Sequence, residues 1–502
     1  MTASDQGAGL FPLARAAAET GAAVLGDIAR ARALSVCIDS RQAGPGSLFA
    51  ALPGENADGH DFIEDAYARG CRATLASSQG FAQREGRLRP LAMGGGMSFV
   101  LYENSLSGLQ SLAAWYLDLF PRLLKIGVTG SSGKTTVKEM IGAILARGRR
   151  VVMNEGNLNS ETGLPLSIFK VRAEHEAGVF ELGMNHEGEM DGLAATLRPS
   201  LALVTNVGTA HIGILGSKDK IALEKKKIFS RFTGSEVGFV DEDEAYLGFL
   251  TAGMRGKAVA FGPRSLKGYR GSEAAGLDGT SIDWEGSRFS LPLPGPHNLR
   301  NALGAMSLCL EAGCGAQDIR AGLSGLKPLF GRGEVLRGRA TVLRDCYNAN
   351  PEAMEAAIAF CDSIEWKGGR KVYVLGSMLE LGAASAEAHR GLGAILAASR
   401  ADAVYLFGAE TASAEEAIRT SAYGGKVFMT DDPAKMEEAL AGGTAQGDLV
   451  LLKGSRGMRM ERFEQAFGIP TPALGIPTPV LGIPRPALGI PAAAGKNSGG
   501  GD

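Results

Sequence analysis

The chain has 502 residues, 45% hydrophobic and 21% charged, with a net charge of −2. That balance is ordinary for a soluble globular protein of several domains, and it gives no electrostatic reason to expect nucleic acid or an anionic membrane as partner. Six cysteines (Cys37, Cys71, Cys309, Cys314, Cys346 and Cys361) include no C-x-x-C pair, so neither a disulfide scaffold nor a zinc site is expected, and reduced thiols in a cytoplasmic protein are the plain reading.

The N-terminus carries Asp5 and no basic stretch ahead of an apolar core, so no signal peptide is predicted, and no apolar run approaches the length of a membrane span. Residues 1–103 read as a small α/β domain: the turn-rich "DSRQAGPGSLFAALPGENADGHDFI" leads into a weakly patterned stretch ending near Met97. The helix-like "SLSGLQSLAAWYLDLF" opens a central domain, 104–329, in which "LLKIGV", "AGVFELG" and "LALVTNVG" read as buried strands. Gly, Pro and charge cluster in "SGLKPLFGRGEV", which marks the next boundary. In 330–467 the strands "KVYVLGS", "ADAVYLFG", "GKVFMT" and "GDLVLLKGS" alternate with amphipathic stretches such as "PEAMEAAIAFCDSI" and "AEAHRGLGAILAAS". That alternation predicts two successive, mostly parallel sheets with helices on both faces. From Gly468 a seven-residue repeat, "GIPTPAL", runs toward the C-terminus, and its prolines predict an extended, disordered tail over 468–502.

The stretch "GVTGSSGKTT", Gly127 to Thr136, sits between a strand and a helix. The common phosphate loop is G-x-x-x-x-G-K-[ST], but here Val128 stands where its first glycine belongs, and the glycine comes at Gly130. Apolar residues at Val137, Met140, Ile141, Ile144 and Leu145 give a helical stripe, with Gly148 as its expected C-cap. Gly130, Ser131, Ser132, Gly133 and Thr136 therefore surround a helix N-terminus, where free N–H groups and the helix dipole attract anions. Lys134 can reach the outer phosphates and the Thr135 hydroxyl can hold Mg²⁺, so ATP or GTP binding is expected. Glu181 ends a strand and His211 follows another; with Thr135 they would converge at one sheet's carboxyl edge, although alone Glu181 suits a capping or surface role equally well and a lone His211 is more often structural. "ALEKKKIF" reads as a solvated basic patch. His297, Asn298 and Asn301 begin a helix as caps or as contacts to a base or ribose. Asp345 ends a strand before an Asn-rich turn, which is either a cap or a ligand contact.

Together these motifs resemble the Mur ligases, ATP-dependent amide-forming enzymes of peptidoglycan synthesis. The resemblance rests on "DSRQAGPGSLFAALPGENADGHDFI", "TGSSGKTTVKEM", "GNLNSETGLPLS", "ELGMNHEGEM", "TNVGTAHIG", "PGPHNLRNA", "DCYNANPEAM", "LGSMLELG" and "KGSRGMRME", in that order along the chain. It implies a UDP-binding domain, a central ATPase domain and a Rossmann-like C-terminal domain in a cytoplasmic monomer. Ser40 and Arg41 would lie in the uridine-nucleotide region. Lys134 and Thr135 would bind phosphate and Mg²⁺, and Glu181 and His211 would serve two metals. Lys225 would be the lysine that the family carbamylates. Asn298, Arg332 and Asp345 would contact ATP. Asn159, His186, Asn348 and Asn350 would lie on the substrate side. The chain departs from the usual motifs at Lys227, Arg344, Cys346 and Ser377. "DCYNANP", together with "TDDPAK" in place of a "DNPR" motif, favours the member that joins D-Ala-D-Ala to UDP-MurNAc-tripeptide over the one that adds the third residue. A folylpolyglutamate-type ligase and an ATP-driven regulatory NTPase are the rival expectations.

Overall fold

The computed structural model describes residues 9–29 and 31–470; the proline repeat beyond Pro470 lies outside the described residues. Three α/β bodies follow one another, each built on its own sheet. The first sheet has the spatial order Ala23–Leu25, Ser98–Tyr102, Ala73–Ser77, Ser47–Ala50, Ser35–Cys37, and only its first pair is antiparallel. The strand Ala73–Ser77 and the helices Ser78–Gln83 and Glu85–Met93 occupy the stretch that the sequence left weakly patterned, and the strand Ser98–Tyr102 follows directly after it. The helix Ser105–Asp118 fastens this body to the next. One apolar cluster runs from Leu48 and Leu75 through Leu109 and Leu112 of that helix to Leu193 and Leu197.

The central sheet has six parallel strands in the order Lys257–Phe261, Val237–Asp241, Leu201–Val204, Leu124–Thr129, Ala177–Glu181, Val151–Met153. Because all six run the same way, their carboxyl ends share one edge, which is where ligands bind in open α/β sheets. On one face the helix Lys134–Leu145 packs Val137, Met140, Ile141 and Ile144 against Leu303, Met306, Ile319 and Leu323. This helix stops earlier than expected: Ala146 is its C-cap, in the right-handed region, and Gly148 follows two residues later. The βα pattern is also interrupted by an antiparallel sheet, Tyr269–Ala274, Thr280–Trp284 and Ser287–Leu291, whose Trp284, Phe289 and Leu291 join the same core.

In the third body the strand Glu334–Arg337 pairs antiparallel with Thr341–Asp345. The parallel strands Leu449–Lys453, Lys371–Gly376, Ala403–Phe407 and Lys426–Thr430 complete the sheet in that order. Arg344 is buried here, but it is paired: its guanidinium meets Glu334 at 2.5 Å and Glu464 at 2.9 Å and lies over the Phe330 ring. Two acids and an aromatic face thus hold a cation where the family motif commonly has an acid, and the pairing offsets the cost of its burial.

Candidate active site

The loop Gly130–Gly133 leaves the carboxyl end of Leu124–Thr129, a central strand of its sheet. Two of its positions demand glycine. Gly130 has φ 151°, and a Cβ there would come within 1.8 Å of Thr205 Oγ1; Gly133 has φ 81°, and its Cβ would lie 2.6 Å from Asn301 Oδ1. The segment after the strand Leu201–Val204 braces the loop. Thr205 Oγ1 donates to Ser132 O (2.6 Å), Asn206 Oδ1 accepts from Ser132 N (3.0 Å), and Gly208 N donates to Ser131 Oγ (2.8 Å). No side chain caps the helix that starts at Lys134, so its first N–H groups are free to meet an anion.

Lys134 is half-buried and its Nζ donates to Gly130 O at 2.9 Å. Burial lowers its pKa; Glu181 opposes that shift and Arg332 adds to it. Thr135 Oγ1 donates to Glu181 Oε2 at 2.6 Å, and Asn159 Nδ2 donates to Glu181 Oε1 at 2.7 Å. Burial works against the Glu181 charge, yet Lys134, Arg332, Lys138 and the Thr135 hydroxyl hold its carboxyl below the usual range. A hydroxyl oxygen beside an ionised carboxylate is a donor set suited to Mg²⁺. Among the described residues no group of three or more His, Cys, Asp or Glu side chains forms a metal cage. That also fits Mg²⁺, which takes one or two protein ligands and completes its shell with water and phosphate.

The third body completes the site. Ser131, Ser132, Gly133, Lys134, Thr135, Thr136, Asn159, Glu181, His211, Asn298, Arg332, Asp345, Asn348 and Asn350 all line one cavity of about 590 Å³. Asn350 Nδ2 donates to Ser132 Oγ at 3.0 Å, directly across the two bodies. Arg332 stacks over the Tyr347 ring. His297 also lines the cavity; although its side chain is exposed, desolvation there lowers its pKa, with Asp345 opposing the shift.

The comparisons with known proteins agree along the chain. The profile of the Mur ligase middle domain matches residues 128–309, that of the Mur ligase glutamate ligase domain matches 331–456, and that of the Mur ligase family catalytic domain matches 32–89. The UDP-N-acetylmuramoyl-tripeptide–D-alanyl-D-alanine ligase of Treponema pallidum is 45% identical over 434 residues, 86% of this chain and 92% of its own. The chain belongs to the Mur ligase family. The Bacillus subtilis ligase of the same name is 33% identical over 85% of this chain and 91% of its own. A crystal structure of MurF from Acinetobacter baumannii superposes with a TM-score of 0.79 at 28% identity, covering 90% of this chain and 98% of that one. MurF from Thermotoga maritima in complex with ADP gives 0.72 at 29% identity, covering 86% and 97%.

In this Mur ligase the three lysines of "EKKK" have separate fates. Lys226 lies over the Phe249 ring, and Lys227 pairs with Glu224 (2.8 Å) and Asp191 (3.0 Å). Glu224 itself accepts from Gly188 N and Met190 N, so it is occupied. Lys225 is 1% exposed, and among the described residues no hydrogen bond or ion pair reaches its ammonium. Burial drives its pKa well down and Lys134 adds to that, with Glu224 opposing. The expectation of a solvated basic patch is therefore wrong for Lys225. Its side chain does not line the cavity, and neither does Gly130, which is packed under Thr205. His186 is exposed and holds Glu189 at 2.8 Å. Ser40 and Arg41 stay in the first body, where Arg41 is exposed and pairs with Asp39.

Sequence reasoning missed several residues of the site. Lys453 is buried at a strand end with Nζ 2.6 Å from Asp345 Oδ2, and its signals were its place in "LVLLKGS" and at the head of the motif "KGSRGMRME". Arg300 meets Asp241 at 2.7 Å on the cavity wall. Asn154, in "MNEGNLNS", fixes Glu181 through its side-chain amide.

Proposed function

We propose that this Mur ligase joins D-alanyl-D-alanine to the terminal carboxylate of UDP-N-acetylmuramoyl-tripeptide and converts ATP to ADP and phosphate. The observation that carries the reading is the 45% identity, over 86% of the chain, to a ligase of that name, together with the phosphate loop facing the third body across one cavity. A carboxylate does not condense with an amine in water, so it must be activated. Its oxygen attacks the γ-phosphorus of ATP, the bond to the β-phosphate oxygen breaks, and acyl phosphate and ADP form. The dipeptide's amine then attacks the acyl carbon, phosphate leaves with the bonding pair, and the amine gives up its proton.

The loop N–H groups and Lys134 would orient the phosphates and offset the repulsion between two approaching anions. Asn298, Arg332 and Asp345 would position the nucleotide, while Asn159, Asn348 and Asn350 would face the peptide end. His186, Ser40 and Arg41 are proposed as substrate contacts outside this cavity, the last two at the uridine end. Thr135, Glu181 and His211 would hold Mg²⁺, which supplies charge neutralisation at the transferring phosphoryl group. A buried amine at Lys225, its pKa driven well down by burial, suits reaction with carbon dioxide to a carbamate, a further oxygen ligand. Lys453 would hold the Asp345 carboxylate in place on the cavity wall. We take the domain limits as 1–103, 104–329 and 330–467, and the active species as a cytoplasmic monomer.

The test is phosphate release from ATP with UDP-MurNAc-tripeptide, with and without D-Ala-D-Ala, with the product weighed by mass spectrometry. Release that requires both substrates, and a product heavier by the dipeptide less water, is expected. Release indifferent to both would favour a regulatory NTPase.

A further inference from the structure

The short segment Gly208–Gly213 touches both halves of the reaction centre. At one end Gly208 exchanges two hydrogen bonds with Ser131 of the phosphate loop, and at the other it carries His211. Two glutamates from the third body grip it between those points. Glu352, in the first turn of the helix Pro351–Ser363, accepts from Thr209 N at 3.0 Å and from Thr209 Oγ1 at 2.7 Å. Its carboxyl carbon would lie 3.2 Å from any Cβ added at Gly208, so the fit leaves no slack. Glu380 Oε2 lies 3.1 Å from His211 Nδ1, close enough for an electrostatic contact though off the hydrogen-bond direction.

The backbones meet as well. Gly213 N donates to Glu380 O at 3.3 Å, and a Cβ on Gly213 would fall 2.5 Å from Gly382 N. His211 and Glu380 face each other with φ 66° and φ 65°, both in the left-handed region that few non-glycine residues adopt. Strained backbone on both sides of one contact marks a place where surrounding structure imposes the conformation.

The geometry points to Glu352 and Glu380 as positioning residues: by clasping Thr209 and His211 when the third body is seated, they set the phosphate loop and the His211 side chain in their working places. Seating of the third body is thereby tied to assembly of the reaction centre, and the centre stays incomplete while it is apart. This inference rests on the ligase reading above.

The test uses the full-length chain with ATP, Mg²⁺, UDP-MurNAc-tripeptide and D-Ala-D-Ala, comparing Glu352→Ala, Glu352→Gln and Gly382→Ala with the parent. Glu352→Ala and Gly382→Ala are expected to lower kcat at least tenfold and to raise KM for ATP as well, because Arg332 and Asp345 leave the cavity with the third body. Phosphate released per amide formed should rise above one, because water reaches the acyl phosphate. Glu352→Gln keeps an acceptor oxygen for Thr209 and should recover part of the rate. In parallel, small-angle scattering of the ADP-loaded chains should show the two disabled variants more extended than the parent. A kcat within twofold of the parent in both variants overturns the inference. So does a loss that tracks lowered thermal stability while the phosphate-to-amide ratio stays at one. A parent that makes no amide would sink the ligase reading alone; scattering would still decide the clasp, and identical profiles would overturn it.

Discussion

Replacing Asn154 by alanine should loosen Glu181 by an amount the structure allows to be worked out. The strand Val151–Met153 stops pairing at Met153 opposite Val179, two residues short of Glu181. The Asn154 side chain continues the ladder in its place. Its Oδ1 accepts from Glu181 N at 2.9 Å, and its Nδ2 donates to Glu181 O and to Leu158 O, both at 3.0 Å. Asn154 and Glu181 are 2% and 3% exposed, so water does not readily take over these bonds. A buried polar group left without a partner costs about 1–3 kcal/mol. Glu181 N would be stripped completely and two carbonyls would lose a donor, so the total should be about 3 kcal/mol. Asn154→Asp keeps the acceptor for Glu181 N but turns a carboxylate oxygen toward two carbonyls, and should cost at least as much. Urea unfolding of the intact chain, followed by tryptophan fluorescence, measures the loss, and a Mg²⁺ titration of activity measures the effect on the metal side. A change in unfolding free energy below ~0.5 kcal/mol with an unaltered Mg²⁺ response would refute the reasoning.

Gly130→Ala forces a Cβ to within 1.8 Å of Thr205 Oγ1 at φ 151°. With strain of roughly 1–3 kcal/mol for such a residue, ATP affinity measured by calorimetry should fall about tenfold to a hundredfold. Lys225→Met should abolish ligation yet raise thermal stability at neutral pH in carbon-dioxide-free buffer. The sign follows from burial: the native state holds Lys225 well below its ordinary value of 10.5, so the unfolded chain binds more protons and stability falls as pH drops below 10.5. The melting points of parent and variant should therefore differ less above that pH; a variant that melts lower at neutral pH would contradict this. Among the six thiols only Cys314 is half-buried with a lowered pKa, chiefly through its hydrogen bond with Cys309, whereas burial pushes Cys37 and Cys346 up to about 12. Native-state alkylation followed by mass spectrometry should label Cys314 first, and early labelling of Cys346 would show that its pocket opens.

The two large sheets were legible because their strands are buried on both faces and read as unbroken apolar runs, as in "LALV" and "VYVL". The loop was legible because a phosphate site at a helix N-terminus demands glycines at fixed offsets from a lysine. The antiparallel insert escaped because Tyr269–Ala274 is mostly exposed and alternates without an apolar face. The strands Ala73–Ser77 and Ser98–Tyr102 escaped for another reason: small and hydroxyl residues (Ala73, Thr74, Ser77, Ser98) share them with the apolar ones and blur the pattern. Gly148 was misplaced as a C-cap because an arginine-rich turn, Arg147 to Arg150, ends the helix without a left-handed glycine.

Contacts between bodies are a different matter, since no periodicity encodes the relative placement of two sheets. Asn350 illustrates this. In the sequence it is an N-cap, and its Oδ1 does accept from Ala353 N at 2.8 Å. The same side chain uses its Nδ2 to reach Ser132 of the phosphate loop at 3.0 Å. Ending a helix of the third body and touching the nucleotide loop are thus one structural act, and the neighbouring Glu352 on that helix reaches Thr209 in the same way. The helix N-terminus brings its positive dipole end with it toward the loop that carries Ser132. A third body that moved away would remove hydrogen bonds and favourable charge from the reaction centre at once. The geometry therefore ties chemistry to closure more tightly than a lid that only excludes water would.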